Sequence, residues 1–484
     1  MRYSLYLFLF ALFGANILCA QNKQLLYDFY EIPQSLMVNP GVKTMENWHV
    51  GVPVLSGLAI QAGTSGVTVN DLFADDGIDF TTKVRERLIQ GTRKRDDFST
   101  TSQIDGFNIG FRGKNRPENY YSFGMYGETD IIIYWPKDLA TLAFEGNGGN
   151  NIGRSFDLGD LSLRGEMINV AHFGINRKVS HTLTIGGRAK VYSSIFQFQS
   201  IKNSGSFTTR EGQNNIYTTD VIADLELQTS GVEGIVDILE EDTGTTQKDL
   251  ASLFMKRVLF GGNLGLGFDA GFTYQLNPRT TITGSILDLG FIHNSKDVQN
   301  YTVRGNVSNE GISVFLPEDI PDLNNNLWEE LVDEIEEAIP YEENDKSYIS
   351  WRPVKVYGSI RYNFGEDGIF DENCGCGVNA QSGQNDAFYK NSVGGQLFMM
   401  KRPRGVQAAL TGFFQKRLGN GFAFKTTYTA DKYSLTNIGL GLNFQMGPVN
   451  FYILGDNLLG YQNIADSHYA SLQFGFNIIS WNDN

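Results

Sequence analysis

The chain has 484 residues, of which 41% are hydrophobic, 13% aromatic and 19% charged. Its formal net charge is -15, from 39 basic and 54 acidic side chains, and no basic stripe stands out along it. A surface that binds phosphate backbones must concentrate lysine and arginine, so this composition argues against a nucleic-acid partner. The 54 glycines and the aromatic content are more typical of a β-barrel than of an ordinary globular domain.

The first 20 residues have the pattern of a secretory signal peptide. Arg2 precedes an apolar run from residue 5 to residue 13, and the segment ends in Leu18-Cys19-Ala20. We predict cleavage before Gln21 and export through the inner membrane. A lipidation signal would need a small residue where Leu18 stands, and an uncleaved anchor helix would need a longer apolar run to span a bilayer.

The rest of the chain predicts two further segments. Residues 21–47 form an N-terminal lead-in, and residues 48–484 form a barrel domain with helical loop insertions at 65–100, 230–256 and 320–340. After residue 20 no apolar stretch is long enough for a transmembrane helix, so this domain would cross a membrane through strands.

The last hundred residues show the clearest pattern, an alternation of apolar and polar side chains with a period of two. It runs through residues 422–430, 435–446 and 469–479, for example in Ile438, Leu440 and Leu442. A soluble sandwich and a membrane barrel both produce such two-faced strands. The polar faces here carry mostly Gln, Asn, Thr, Ser and Gly rather than Lys and Glu, which favours the barrel.

About 15 segments have strand character, and bacterial barrels use an even number of strands. We therefore predict an all-β fold, a transmembrane antiparallel up-and-down β-barrel of about 14 strands with short helices in long loops. The pattern leaves the strand parity open between residues 193 and 228. Short basic turns are expected on the periplasmic side and long connections outside.

One long connection predicts an amphipathic acidic helix between Pro321 and Ile339. Leu327, Leu331 and Ile335 recur at a spacing of four, with acidic residues on the remaining surface. Such a helix needs an apolar surface to lie on, so it would serve as a plug, a lid or a partner-binding element, and the sequence leaves these three alternatives open.

Polar residues on the C-terminal strands are the candidate lumen or binding site. They belong to the non-apolar faces of the alternating strands, and they are Gln407, Thr411, Gln415, Lys425, Thr427, Asn437, Asn443, Gln473 and Asn477. Two roles are open for them: a water-filled path, or a hydrogen-bonded filling of the barrel without transport.

The sequence shows no pattern that predicts catalysis, a metal or a cofactor. The five histidines are scattered without metal-ligand spacing, and neither a nucleophile elbow nor a phosphate loop is present. We therefore predict a protein that is not an enzyme. Cys374 and Cys376 remain after processing and predict a disulfide in an exported protein, since two thiolates alone make a poor zinc site.

Two stretches resemble known outer-membrane barrels. The segment from Ile32 to the turn Asn39-Pro40-Gly41 resembles the opening of mature barrels of Bacteroidota, including the PorP/SprF-like group linked to type IX secretion. The glycine-rich hairpin at 265–274 and 280–292 is similar to hairpins of that group and of fatty-acid-transporter-like barrels.

The resemblance implies a cell outer-membrane protein, acting as a passive channel, a transporter or an accessory subunit of a type IX secretion-like export machine. Its expected partners are outer-membrane lipid and other cell-envelope or secretion proteins. Two alternatives from other classes remain: a secreted or surface-attached β-sandwich adhesin, and a barrel enzyme that assembles Ser, His and Asn on adjacent strands.

Overall fold

The computed structural model describes residues 23–212, 217–240, 246–310, 341–366, 389–419 and 421–480. Three predictions lie outside the described residues: the signal peptide at 1–20, the acidic helix at 321–339, and the disulfide between Cys374 and Cys376.

The described residues form one sheet of 20 strands. Its first ten strands are β1 (Trp48–Gly51), β2 (Leu58–Thr64), β3 (Asp97–Arg112), β4 (Asn119–Tyr134), β5 (Ser155–Asp157), β6 (Leu163–Lys178), β7 (Leu183–Glu211), β8 (Tyr217–Ser230), β9 (Asn263–Asn277) and β10 (Thr280–Asn294). The other ten are β11 (Val298–Glu310), β12 (Tyr341–Asn344), β13 (Tyr348–Trp351), β14 (Lys355–Glu366), β15 (Tyr389–Arg402), β16 (Gly405–Leu418), β17 (Phe422–Ala430), β18 (Asn437–Met446), β19 (Val449–Asp456) and β20 (Tyr469–Ile479).

The sheet closes into an antiparallel barrel of 14 strands, which confirms the predicted fold class. β1 and β2 are two pieces of the first barrel strand, because both pair with β3 on one side and with β20 on the other. β13 and β14 likewise share one strand, since both pair with β10. The described strands thus surround a single lumen, and the alternative of two packed sheets is wrong for this part of the chain.

Side-chain alternation places apolar residues on the outside of every barrel strand. We call this set the outer belt; its exposed members, one from each barrel strand, are Ile60, Ile104, Ile133, Phe173, Val191, Phe268, Leu289, Ile360, Leu397, Leu410, Tyr428, Ile438, Ile453 and Leu472. A chain of aromatic rings crosses five of the strands near one rim, through Phe414, Phe424, Phe422, Phe444, Phe451 and Phe476.

Both described ends of the barrel chain lie at one rim, where His49 pairs with Ile479. We call this the terminal rim. The short turns with basic residues after β6, β9 and β16 also lie there, while the long connections 65–96 and 135–162 lie at the opposite, outer rim. This arrangement follows from counting antiparallel strands along the chain, because successive connections alternate between rims.

Four strands, β5, β8, β11 and β12, lie outside the barrel. Their positions determine how many barrel strands the region 193–228 contains, which the sequence left open. β7 is 29 residues long; its first part pairs with β9 in the wall, and its last part, from Gln197, pairs with β8 beyond the outer rim. β8 pairs with β11, β11 with β12, and β5 with the end of β7, which makes an outer sheet. Of the region 193–228, only the end of the wall part of β7 therefore belongs to the barrel.

Short helices occur in the connections at the outer rim. They are α1 (Val69–Phe73), α2 (Phe80–Lys83, continued by a π-helical turn at Val84–Ile89), α3 (Lys137–Glu145), α4 (Glu233–Glu240) and α5 (Thr246–Lys256, continued by Arg257–Gly261). Short 3-10 turns occur at Pro33–Met37, Gly149–Asn151, Leu158–Asp160, Leu458–Gln462 and Ile464–Asp466. Thr68 caps α1 by accepting a hydrogen bond from the Asp71 amide, while the Asp71 carboxylate accepts one from the Thr68 amide.

Candidate functional site

The N-terminal lead-in lies inside the barrel. Between residues 23 and 42 nearly every residue is buried, and Leu25, Leu26, Tyr27, Phe29 and Ile32 are each at most 1% exposed. They form one apolar core with inward-facing wall residues that include Tyr357, Phe398, Tyr452 and Leu454. We call residues 23–42 the plug, because their side chains fill the lumen on the side of the terminal rim.

Polar wall side chains bind the plug backbone. Nζ of Lys425 donates to the carbonyl of Tyr27 at 2.6 Å, and Nε2 of Gln396 donates to the same oxygen at 2.9 Å. Oγ of Ser285 donates to the carbonyl of Val38 at 2.6 Å. The plug has little regular secondary structure of its own, so these contacts satisfy buried carbonyls that would otherwise destabilise it.

The turn Asn39-Pro40-Gly41 docks on two wall glycines. Oδ1 of Asn39 accepts a hydrogen bond from the Gly41 amide at 2.9 Å, which closes the turn. Gly186 of β7 and Gly271 of β9 are register partners beneath it. A Cβ at Gly186 would lie 1.9 Å from the Pro40 oxygen, and one at Gly271 would lie 2.1 Å from Asn39 Oδ1. The backbones approach this closely only because both wall positions lack a side chain.

All nine lumen residues predicted from the sequence face inward and are buried. Three contact the plug: Lys425, as described; Gln415, which donates to Glu31 at 2.8 Å; and Asn477, which exchanges hydrogen bonds with Gln34 at 2.6 and 2.9 Å. Their proposed role in binding or passage stays a prediction.

The other six do not converge on one site. Gln407 donates to Asp97 at 3.3 Å, Thr411 pairs with Thr429 at 2.9 Å, and Asn443 accepts from Asn450 at 2.8 Å. Asn437 accepts from the backbone amide of Asn457, Gln473 lines a cavity beside the plug, and Thr427 is buried beside Gly439. Most of them therefore hold neighbouring strands or loops in place.

A network of charges crosses the middle of the lumen, and the sequence reasoning missed it. Arg352 binds Glu166 of β6 and, at 3.1 Å, Glu128 of β4; Glu128 also accepts from Lys355 at 2.8 Å. These ion pairs join β4 and β6 directly to the opposite wall strand. We call the pairs formed by Glu128, Glu166, Arg352 and Lys355 the central bridge. Each of these four side chains is less than a tenth exposed. Charged groups that are buried to this extent are stable only when they are paired.

The central bridge continues around the wall. Lys190 binds Asp288 at 2.6 Å and Asp269 at 2.9 Å, and Arg188 binds Asp269 at 2.6 Å. Nη2 of Arg188 also donates to the carbonyl of Met37 at 2.7 Å, which connects the network to the plug.

Irregular backbone turns two of these charges inward. The register between β10 and β9 shifts between Ile286 and Leu289, and Asp288 in this bulge has φ = 61°. Arg352 lies in the break between β13 and β14. A bulge turns a side chain to the opposite face of its strand from the one that regular alternation predicts. A prediction that assumes a strict period of two therefore assigns such a residue to the wrong face. The sequence signal that could have identified Asp288 is its position as an acidic residue inside the apolar run Leu287-Asp288-Leu289.

Further contacts connect strands and loops near the outer rim. Arg402 binds Asp130 across the lumen at 2.6 Å, and Lys432 binds Asp97. Nη2 of Arg404, in the turn between β15 and β16, donates to the carbonyl of Asp160 at 2.7 Å. The connections after β2, β4, β15 and β17 thus meet at the outer rim.

An exposed pair joins two of these outer connections. Nζ of Lys94 donates to the carboxylate of Asp157 at 2.6 Å, and this hydrogen bond lowers the pKa of Asp157 below its usual value. Because both side chains are partly solvated, water screens the interaction, and the pair contributes little to stability.

The remaining space beside the plug is small. A cavity of about 50 Å³ is lined by Lys23, Gln103, Glu128, Asp288 and Gln473, among others. A volume of this size holds a few water molecules, and its polar lining suits them.

The described residues offer no metal cluster: no group of three or more His, Cys, Asp or Glu side chains is placed to hold an ion. His49 hydrogen-bonds Tyr120 at 2.7 Å and Asn108 at 3.2 Å, and His468 hydrogen-bonds the Thr64 carbonyl at 3.1 Å. These partners are typical of structural histidines. In the part of the chain that the structure describes, no helix is long and apolar enough to cross a membrane.

These features define a class: a closed, 14-stranded antiparallel barrel with an apolar outer face and a lumen filled by its own N-terminal segment. The chain belongs to a family of unknown function, DUF5723, whose model matches residues 40–456. The match begins within the Asn39-Pro40-Gly41 turn, so it includes nearly all of the described barrel. Comparison with curated proteins finds no match.

Several solved barrel structures are similar to this chain. The toluene transporter TbuX of Ralstonia pickettii has 10% identity and a TM-score of 0.37, with 92% of this chain and 93% of that chain covered. The toluene transporter TodX of P. putida has 6% identity and a TM-score of 0.38, covering 95% and 94%. A Pseudomonas aeruginosa FadL homologue has 9% identity and a TM-score of 0.39, covering 96% and 100%. The strand pairing of this chain itself shows that it is a closed antiparallel barrel.

Proposed function

We propose that the protein spans the bacterial outer membrane as a transporter whose described state is closed. The outer belt carries the proposal: each of the 14 barrel strands exposes a large apolar side chain outward, while many of the buried inward side chains are polar. In water such a surface would aggregate, whereas in a bilayer it contacts hydrocarbon. The neighbouring toluene transporters are named for hydrocarbon transport, and a hydrophobic cargo is compatible with this placement.

The closed state has two barriers in series. The plug fills the side of the terminal rim. The central bridge, together with the Asp130–Arg402 pair, joins opposite walls farther out. Passage through the lumen therefore requires displacement of the plug and separation of the bridge. Such a closed state differs from the passive open channel that the polar residues of the predicted lumen alone would allow.

Planar-bilayer recordings test this order of barriers. We expect no steady conductance from the wild type, and little from a variant that lacks residues 23–42, because the central bridge remains. A variant that combines this deletion with Glu128→Ser, Asp130→Ser, Glu166→Ser, Arg352→Ser, Lys355→Ser and Arg402→Ser should show stepwise conductance. Steady wild-type conductance would contradict the closed state, and absence of conductance in the correctly inserted combined variant would contradict a transport path through this lumen.

A second candidate is an accessory subunit of a surface export machine, of the type IX secretion-like kind implied by the sequence resemblance. Two observations favour it: the filled lumen, and the outer sheet of β5, β7, β8, β11 and β12, which extends beyond the barrel. Mild detergent extraction after cross-linking discriminates the two candidates. A subunit stays in a large complex that dissociates when β8 is deleted, whereas a transporter migrates alone.

We also propose that the leader is removed before the plug inserts. Lys23 already contacts Gln103 inside the barrel, and the adjoining cavity is about 50 Å³. Cleavage before Gln21 leaves only two residues ahead of Lys23. Intact-mass measurement of protein from outer membranes should therefore show a chain starting at Gln21; a retained leader would overturn this proposal.

A further inference from the structure

The barrel wall has a notch toward the outer rim, between β13 and the turn joining β15 to β16. β14 pairs with β15 from Lys355 and Met400 onward, and the last contact is from the Lys401 amide to the Val354 carbonyl at 3.1 Å. β15 then turns back at 403–404, while the neighbouring strand continues into β13. Among the described strands, β13 pairs only with β10, so its other edge borders the notch.

An apolar groove leads along the outer wall to this notch. Its volume is about 620 Å³, within the range of small-molecule sites. Leu266, Phe268, Leu289, Phe291 and Trp351 line it, and Trp351 is 68% exposed. All five belong to the side of the wall that carries the outer belt, so a hydrocarbon chain can lie along them.

Two cationic side chains, Arg164 and Lys401, lie at the notch end of the groove. Arg164 reaches from β6 across the lumen, and its Nη2 donates to the Trp351 carbonyl at 2.6 Å. Its Nε is buried without a hydrogen-bond partner among the described residues, and its nearest acid, Glu166, is 3.5 Å away and is already paired with Arg352. Lys401 is exposed and, in the described part of the chain, makes no ion pair within 4.0 Å.

We propose that the notch binds an anionic phospholipid-type lipid, with its phosphate against Arg164 and Lys401 and an acyl chain in the groove. Guanidinium and ammonium groups bind phosphate oxygens by charge-assisted hydrogen bonds, and these are stronger beside an apolar wall than in water. A zwitterionic lipid brings an added cation toward Arg164 and Lys401 and binds less well. The proposal rests on the outer-membrane location, and it adds a specific lipid site to that location.

Fluorescence of Trp351 provides a local readout in nanodiscs. Lipids with brominated acyl chains quench a tryptophan that they contact, and a Trp351→Phe variant measured in parallel isolates the Trp351 signal. Brominated phosphatidylglycerol and brominated phosphatidylcholine are each titrated into discs of unbrominated phosphatidylcholine. We expect about tenfold stronger association of the anionic lipid at Trp351, which corresponds to ~1.4 kcal/mol.

Charge variants decide whether the notch causes that preference. Arg164→Gln combined with Lys401→Gln should reduce the preference to about one, and Lys401→Gln alone, on an exposed side chain, should reduce it partly. Arg177→Gln combined with Lys178→Gln removes an exposed Arg and Lys at the terminal rim and should leave it unchanged. Equal quenching by both lipids, or a preference that survives both notch variants, overturns the proposal. Failure of the wild type to insert into nanodiscs would instead contradict the membrane location.

Discussion

The paired glycines Gly186 and Gly271 determine where the plug can dock. Neither has a positive φ, so their backbone alone does not require glycine. Glycine is required at both positions because atoms of Asn39 and Pro40 occupy the space where a Cβ atom would lie. The wall and the turn are thus complementary at single residues far apart in the sequence.

Gly271→Ala should therefore loosen the plug without breaking β9. The added methyl group must displace Asn39, and overpacking of this kind costs about 1–3 kcal/mol. Unfolding in detergent measures the stability loss, and limited proteolysis of residues 23–47 measures plug release. Gly412→Ala is the matched control, because a Cβ there meets nothing within 4 Å. Equal behaviour of the two variants would contradict the docking role of Gly271.

The central bridge makes a second prediction for a single residue. Arg352→Gln leaves Glu166 without its closest cation in a buried site, and breaking a buried pair costs about 3–5 kcal/mol. Equilibrium unfolding of the purified barrel should show that loss. Arg304→Gln breaks an exposed pair with Asp224 on the outer sheet and should leave the midpoint unchanged. A small effect of Arg352→Gln would mean that water, rather than this arginine, compensates the two glutamates.

At the scale of elements, the plug and the barrel wall are held by different forces. Wall strands exchange backbone hydrogen bonds along their length, whereas the plug has mainly short-range turns and depends on side chains such as Lys425 and Gln396. The plug can therefore open locally at a smaller free-energy cost than the strands around it.

Lys425→Met should accelerate hydrogen exchange of the plug selectively. The variant keeps the side chain's apolar length but removes the donor to the Tyr27 carbonyl, and a hydrogen bond to a charged group contributes about 1.5–3 kcal/mol. Amide exchange near residues 24–30 should rise roughly 10- to 150-fold, while β16 and β17 stay protected. Lys416→Met, on the neighbouring strand, is the control. Uniform acceleration of all segments would mean that Lys425 stabilises the whole barrel instead.

At the scale of the whole molecule, the apolar outer belt and the many buried polar side chains of the interior reverse the usual arrangement of a soluble protein. The consequence is a dependence on the surrounding solvent: the apolar surface contributes to stability only where hydrocarbon or detergent covers it.

Leu410→Lys tests that dependence in the middle of β16. A lysine on the lipid face near the bilayer centre costs about 2–4 kcal/mol, and Leu410→Ala controls for the lost side chain. Unfolding from vesicles should show the extra cost of lysine over alanine. If both substitutions have the same small effect in vesicles, the outer belt does not face lipid.

Much of the fold could be read from the sequence because strand alternation is a local pattern. Residues 437–446, for example, show their two faces without reference to any other segment, and the predicted strand number is confirmed. The nine predicted inward residues lie inside for the same reason. Local patterns failed where the backbone is irregular, as at Asp288 and Arg352, and where β7 leaves the barrel to pair with β8.

The sequence by itself thus determined where the C-terminal strands lie and the polarity of their two faces, since both depend on neighbours two residues apart. Only the tertiary structure decided which side chains fill the lumen. The plug has no period that reveals its burial, and the partners of Glu128, such as Arg352, lie more than two hundred positions away. Contacts of that range depend on strand order and register, which bring distant segments to the same level of one lumen.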